Sequence, residues 1–236
     1  MTPALPACAV VGHGRLGTAL AAALRDAGAV VDGPLRRGAA AASADVVLLA
    51  VPDAEIAAAA ACVAPGRLVG HCSGATTLAP VTATHPDAFS LHPLMTVTTR
   101  GATFAGAYAA VAGTSEAARG VAETLARALG MTPFAVADAD RPAYHAAASI
   151  ASNFLVTLEW AAERVGGIDR AALAPLVRAT VENWAAEGAR NALTGPIARG
   201  DDQTVDQQRE AIAARTPELV ELFDAMTAAT RQLAAA

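Results

Sequence analysis

The chain contains no lysine; all seventeen of its basic residues are arginine. That absence removes whole classes of chemistry. A Schiff base, a phosphate-binding P-loop and a lysine general acid or base all need an ammonium group that is not there. The compositional bias of a GC-rich genome is the plain cause, and the chemical consequence holds regardless. Aromatics are scarce too, 4% against 54% hydrophobic residues, so alanine and valine must fill the interior. Cys8, Cys62 and Cys72 are an odd number at wide spacing. They suit small core positions and neither a disulfide frame nor a metal site. The formal charge is −5, with no basic stripe, which argues against a nucleic-acid surface. The longest apolar run, 46–64, is broken by Pro52, Asp53 and Glu55, so no membrane span is expected. No charged segment precedes an apolar one at the N-terminus, so the expectation is a cytoplasmic protein.

What is present begins with Ala7 to Leu24. A short apolar run, Cys8 to Val11, meets Gly12, Gly14 and Gly17 in the order G-x-G-x-x-G, and an alanine-rich amphipathic segment follows. Strand, glycine turn and helix in that order form a dinucleotide-binding unit. Gly12 permits the tight turn, Gly14 lets backbone approach a pyrophosphate, and Gly17 lets the helix pack close to the strand. The helix N-terminus adds N–H donors and partial positive charge. His13, Arg15 and Leu16 lie within this turn and are expected to line the cofactor with the glycines. A purely structural glycine turn is the plainer alternative.

The first helix is expected from Arg15 to Asp26 and the second strand from Ala29 to Val31. Beyond it, Asp32 falls early, before Gly33-Pro34, and the ribose-facing positions are read as Leu35 to Arg37. They offer two guanidiniums, Arg36 and Arg37, and no carboxylate. Planar guanidinium suits a 2′-phosphate, so NADP, with NADPH favoured over NADH, is the expected cofactor. A solvated arginine pair is the alternative. The linker 38–44 is too short for a crossover helix and a further strand, so this half is abbreviated. The continuous apolar run 45–51 reads as a strand buried on both faces. Ala50, Val51 and Pro52 end it at the sheet edge where cofactors sit. Further strands are expected over 67–72, 89–92, 107–112 and 134–137, with helices over 53–63 and 115–129. His71 and His92 end consecutive strands near one edge. Two histidines do not make a metal site, so none is expected. Ser73 and Gly74 can meet a substrate carboxylate with a hydroxyl and a backbone N–H, and His92 is a cleft-lining candidate.

After Asp138 the strand-like runs stop. Helices are expected over 142–165 and 169–190, with two shorter ones after Asp201. The fold class is therefore α/β: an abbreviated Rossmann parallel sheet (1–138) followed by an all-α domain (139–236). On the first of these helices His145, Ser149, Ser152 and Asn153 fall at i, i+4, i+7 and i+8, one face of an α-helix. Their neighbours are alanine, isoleucine and phenylalanine, so a buried polar stripe in need of partners is expected. A ligand is one partner; a helix–helix seam at a dimer interface is the other. Histidine can pass a proton near neutral pH, as carbonyl or imine reduction demands. Arg199, near Thr194 and Asp201, grips an anionic substrate or else pairs with Asp201 or Asp202.

Taken together, VVGHGRLGTAL, ADVVLLAVPD, GHCSGA, SLHPLMT, YHAAASIASNFL and ALTGPIARGD resemble the phosphogluconate and β-hydroxyacid dehydrogenase-like superfamily, which includes ketopantoate reductase. They are most similar to a bacterial family of predicted oxidoreductases with a Rossmann-like N-terminal domain and a helical C-terminal domain of unknown function. The resemblance covers essentially the whole chain. It implies NADP binding, a small carbonyl or imine substrate and a homodimer built through the helical domain. Relatives of this kind use a lysine four residues before an asparagine. Here Asn153 is present, and the position four before it is Ser149, which leaves His145 as the replacement acid. The function so implied is NADPH-dependent reduction of a small anionic 2-oxo compound, ketopantoate first. The alternatives are an imine or prephenate-like dehydrogenase and a non-catalytic NADP(H) sensor.

Overall fold

The computed structural model describes residues 5–99 and 101–236. Strand β1 (Cys8–Val11) and helix α1 (Arg15–Asp26) form over the predicted residues. Leu20, Ala21 and Leu24 make the buried stripe of α1, and Gly28, at φ +90°, turns the chain after it. Strands β2 (Val31–Leu35), β3 (Val46–Leu49), β4 (Leu68–His71), β5 (Ala88–Leu94), β6 (Tyr108–Gly113) and β7 (Thr132–Ala135) complete one sheet. Its order is β2-β1-β3-β4-β5-β6-β7. The first five of these positions are parallel; β6 is antiparallel to β5 and parallel to β7. The mostly parallel sheet therefore ends in a reversed pair. Among the described residues the 95–107 connection carries no helix, so the chain returns beside β5 without a crossover.

Helices cover both faces. Helices α1 and α4 (Glu116–Ala128) pack Leu20, Leu24, Ala122 and Leu125 onto Cys8, Val10, Val46 and Leu48. The other alternation, Ala9, Val11, Val47 and Leu49, meets Ile56 and Ala60 of α2 (Ile56–Cys62) and Val81 of α3 (Ala79–Thr82). Burial on both faces is why these strands read as unbroken apolar runs.

Strand β2 differs from expectation. Gly33-Pro34 lies inside the strand and not in a turn after it. Ala9 pairs with Asp32 but Val11 with Leu35, so β2 carries one extra residue. Gly33, at φ +131°, forms this bulge; a Cβ there would sit 2.6 Å from the Val10 carbonyl oxygen. An edge strand tolerates the missing proline N–H. The strand consequently ends at Leu35, and Arg36 and Arg37 follow it directly.

The chain divides into two compact units, Met1–Ala151 and Ser152–Ala236. Helix α5 (Arg141–Ser149) thus goes with the sheet, although composition changes after Asp138, because Arg141 and Tyr144 bond to side chains of β5. The second unit holds α6 (Leu155–Gly166), α7 (Arg170–Glu187), α8 (Ala189–Ala192), α9 (Pro196–Arg199), α10 (Asp202–Arg215) and α11 (Val220–Ala235). Its buried cluster is small: Ala161, Ile212 and Leu219, with Val165, Leu222 and Phe223 packed against it. The helix expected to run unbroken over 142–165 is interrupted by a π-helical turn, Ile150–Phe154, between α5 and α6. Among the described residues no helix is long and apolar enough to cross a membrane.

Candidate active site

Strand order reverses at β1, with β2 on one side and β3 on the other, and ligands of open α/β sheets sit at such a point. A cleft of about 520 Å³ opens there, at the carboxyl ends of β1, β3, β4 and β5. Gly14, Arg15 and Leu16 line it after β1; Ala50, Val51 and Asp53 after β3; Cys72, Ser73 and Gly74 after β4. His92, Pro93, Met95 and Val97 line it from β5 onward, and His145 of α5 faces the same space.

The three glycines divide their roles as the fingerprint requires. A Cβ at Gly12 would collide with the Ala50 carbonyl, and one at Gly17 with the Gly12 carbonyl, so both are fixed by close backbone approach. Gly14 has open space where its Cβ would be. No side chain caps α1, and its first turn holds no acidic residue. An open cradle beneath uncapped helix N–H groups fits a pyrophosphate. His13 and Pro52 are exposed beside this turn. Arg36 and Arg37 are exposed after β2, and Arg37 is ion-paired with Glu55. Asp32 instead accepts a hydrogen bond from the Ser43 hydroxyl, at 2.9 Å.

On the other side of the cleft, buried histidine organises the loop after β4. His71 is fully buried. The Ser73 N–H donates to its Nδ1 at 3.2 Å, so the ring hydrogen lies on Nε2 and donates to the Thr77 carbonyl at 3.1 Å. Burial, then the Arg141 guanidinium, lowers its pKa from 6.5 to about 4. The Ser73 hydroxyl oxygen accepts from the Ala75 and Thr76 N–H groups, at 3.2 and 3.0 Å. Its hydrogen stays available to a ligand.

Alternation along β5 puts Ser90 and His92 on one face, where α5 reaches both. Arg141, 1% exposed, donates from Nη2 to the Ser90 hydroxyl at 2.6 Å and from Nε to Asp138 at 2.8 Å. Tyr144 bonds to His92 Nδ1 at 2.6 Å. The His92 and His145 rings lie 6.2 Å apart between centroids. A Cβ on Gly74 would come within 2.9 Å of His92 Nε2 and 3.0 Å of His145 Cδ2, so both imidazoles converge on this glycine.

The polar stripe is only partly assembled. His145 and Ser149 share a face of α5, but the π turn changes the helical period before Ser152 and Asn153. Nor is the stripe buried: His145 and Asn153 are exposed, and Ser149 and Ser152 half-buried. The small neighbours that suggested burial are themselves at the surface of the chain. Arg199 ends α9, exposed. It forms no ion pair with either proposed carboxylate: Asp201 caps α10 through Thr204, which with the nearby Arg199 charge lowers its carboxyl pKa, and Asp202 binds Arg231. Sequence reasoning missed Tyr144 and Arg141 altogether. The one available signal for Tyr144 was its place beside His145.

A family model described as a domain of unknown function (DUF2520) matches residues 107–230, more than half of the chain. No curated protein matches. Among solved structures, a Bacteroides fragilis protein named as an NADP oxidoreductase is similar at 17% identity, covering 97% of this chain and 98% of that one, with a TM-score of 0.82. A Thermotoga maritima protein, TM1727, is similar at 22% identity over 97% and 100%, TM-score 0.80. A reductive aminase from Aspergillus terreus, solved with NADPH and ethyl-5-oxohexanoate, is similar at 14% over 97% and 94%, TM-score 0.64. At these identities the likeness shows the fold.

Proposed function

The chain belongs to the DUF2520 family, and we propose that it is a cytoplasmic NADPH-dependent reductase of a small anionic 2-oxo compound. Ketopantoate is the first substrate to try. One observation carries the reading: a single cleft runs from an uncapped helix N-terminus with an open glycine cradle to a pair of converging imidazoles. The N–H groups of α1 would hold the pyrophosphate, with Gly12 and Gly17 keeping helix and strand close, and Arg36 would meet a 2′-phosphate. When bound, NADPH supplies the two electrons and the hydrogen that reduce the carbonyl carbon. The Ser73 hydroxyl and Gly74 N–H orient the substrate carboxylate beside His92. His145 gives the proton to the developing alkoxide. Ser149, one turn along the same face, is a further substrate contact, and Ser152, Asn153 and Arg199 are the candidates outside the sheet unit. The fold shared with a reductive aminase solved with NADPH and an oxo ester favours an imine as the second substrate class.

The helical unit supports a homodimer. Helix α7 buries none of its 18 residues, and Phe154, Val156, Trp160, Leu176 and Trp184 are exposed in the same unit. Apolar surface on this scale marks an association site.

The decisive experiment is a titration with NADPH and NADH followed by nicotinamide fluorescence. Tight NADPH binding and weak NADH binding are expected, and binding of neither ends the reductase reading. His145→Ala should then lower turnover by about two to four orders of magnitude with NADPH affinity intact; unchanged turnover removes His145 from the chemistry.

A further inference from the structure

Both tyrosines of the chain lie in one aromatic ladder, in a sequence with few aromatics. Tyr108 meets Phe134 edge-on at 6.2 Å, Phe134 meets Tyr144 at 5.9 Å, and Tyr144 meets His92 at 5.6 Å with the ring planes 89° apart. The ladder starts on β6, crosses β7 and ends at the cleft. It holds the Tyr144 phenol oxygen 2.6 Å from His92 Nδ1. Two arrangements fit one such bond. Either the phenol donates and the imidazole hydrogen sits on Nε2, or Nδ1–H donates and the phenol hydrogen must go elsewhere.

The surroundings choose between them. Among the described residues the phenol has no other hydrogen-bond partner, so His92 Nδ1 is the acceptor that the chain itself offers to its O–H. The short separation also suits an O–H donor, whose bonds are shorter than those of N–H. With Nδ1 occupied as acceptor, the hydrogen lies on Nε2, the nitrogen turned toward Gly74 and the cleft lining. We propose that Tyr144 is a positioning residue: its phenol fixes the His92 hydrogen on Nε2 and makes His92 the neutral hydrogen-bond donor to the substrate oxygen. The proposal rests on the reductase reading for the identity of that oxygen, but the fixed tautomer stands on its own geometry.

The charge state agrees. Burial, followed by the neighbouring His145 and Arg141, lowers His92 from 6.5 to about 4, and burial raises Tyr144 to about 12. At neutral pH this is therefore a neutral phenol bonded to a neutral imidazole. A donor of that kind differs from His145 in role: it stabilises charge on oxygen without giving up its hydrogen. The two imidazoles thus divide the work, one binding the oxygen and the other supplying the proton.

The test uses the whole protein with ¹⁵N-labelled histidine at pH 7. Two-bond ¹H–¹⁵N correlation distinguishes the tautomers, and the His92 signals are identified by their loss in His92→Gln. Wild-type His92 is expected as a single Nε2–H tautomer, and Tyr144→Phe, which keeps the ring, as a mixture. Oxamate, a 2-oxo-acid isostere, added with saturating NADPH, should move the His92 Nε2–H signal in the wild type. It should bind Tyr144→Phe more weakly in proportion to the Nε2–H fraction that remains, about twofold for an even mixture, while NADPH affinity stays unchanged. An Nδ1–H tautomer in the wild type, an unchanged tautomer in Tyr144→Phe, or equal oxamate binding by both proteins would overturn the proposal. Failure of NADPH to bind would instead remove the reductase reading, and the tautomer measurement, which needs no cofactor, would still decide the role of Tyr144.

Discussion

The two units satisfy their apolar residues in opposite ways. In Met1–Ala151 two helical layers close over both faces of a sheet, and residues such as Val10, Leu48, Phe89 and Leu125 lose all solvent contact. In Ser152–Ala236 three apolar residues form the buried cluster, while tryptophan, leucine and valine stand at the surface. The first unit completes its core within the chain and carries every residue that lines the cleft. The second leaves its largest apolar side chains uncovered. Alteration of the first should therefore act on stability and cofactor binding, and alteration of the second on association.

The largest effect is expected at Gly17. A valine there would drive its side chain into the Gly12 carbonyl and the Ala50 methyl, neither of which can yield without separating α1 from β1. Overpacking of this kind costs about 3 kcal/mol, or roughly 6–12 °C in Tm for a chain of this size. Thermal unfolding of Gly17→Val should show that loss together with loss of the NADPH fluorescence signal. A variant that kept both would show that close helix–strand approach is unnecessary here.

Acid should weaken the sheet unit by a similar amount. His71 titrates near 4 in the folded protein against 6.5 ordinarily, so between these values the unfolded chain binds the extra proton. Stability from this group is present above about pH 6.5 and lost as pH falls through about 4, in total about 3 kcal/mol. Urea unfolding at pH 7 and 4.5 measures the slope, and His71→Gln should reduce it, leaving the part that His92, also lowered to about 4, contributes. An equally steep slope in the variant would shift the cause to other groups.

In the helical unit the expected change is of assembly. Trp184→Asp should turn a dimer into a monomer in sedimentation while leaving NADPH binding untouched. If the wild type already sediments as a monomer, the uncovered helices serve some other purpose.

The contrast also explains what could be read from sequence. Strand β1 and helix α1 were legible to the residue, because the glycine turn marks where the strand stops and the helix starts, and Gly28 marks where the helix ends. Strand β2 was not, since Gly33-Pro34 looks like a turn and only its edge position lets it be a bulge. The reversal of β6 depends on a connection without a helix, for which composition gives no direction. The π turn has no local signal, so a stripe drawn on an ideal helix overstated how far His145, Ser152 and Asn153 align. Burial of that stripe was inferred from small apolar neighbours, which cannot reveal whether anything covers them. Tyr144 and His92 are 52 residues apart, and their bond emerges only when α5 lies against β5.

The smallest expected effect separates the two arginines after β2. Both are exposed, and a guanidinium free to turn toward a 2′-phosphate should add a charge-assisted bond that NADH lacks. Arg37 is held by Glu55, so redirecting it would first break an ion pair, whereas Arg36 has no such partner among the described residues. Arg36→Ala should therefore weaken NADPH about tenfold, near 1.4 kcal/mol, and leave NADH unchanged. Arg37→Ala should cost less, because the lost contact is partly offset in the free protein by the carboxylate already bound to it. Nicotinamide fluorescence titrations of both variants with both cofactors give the four affinities needed. Equal loss for NADPH and NADH in Arg36→Ala would assign this arginine to a part that both cofactors share, and the preference for NADPH would lose its physical basis.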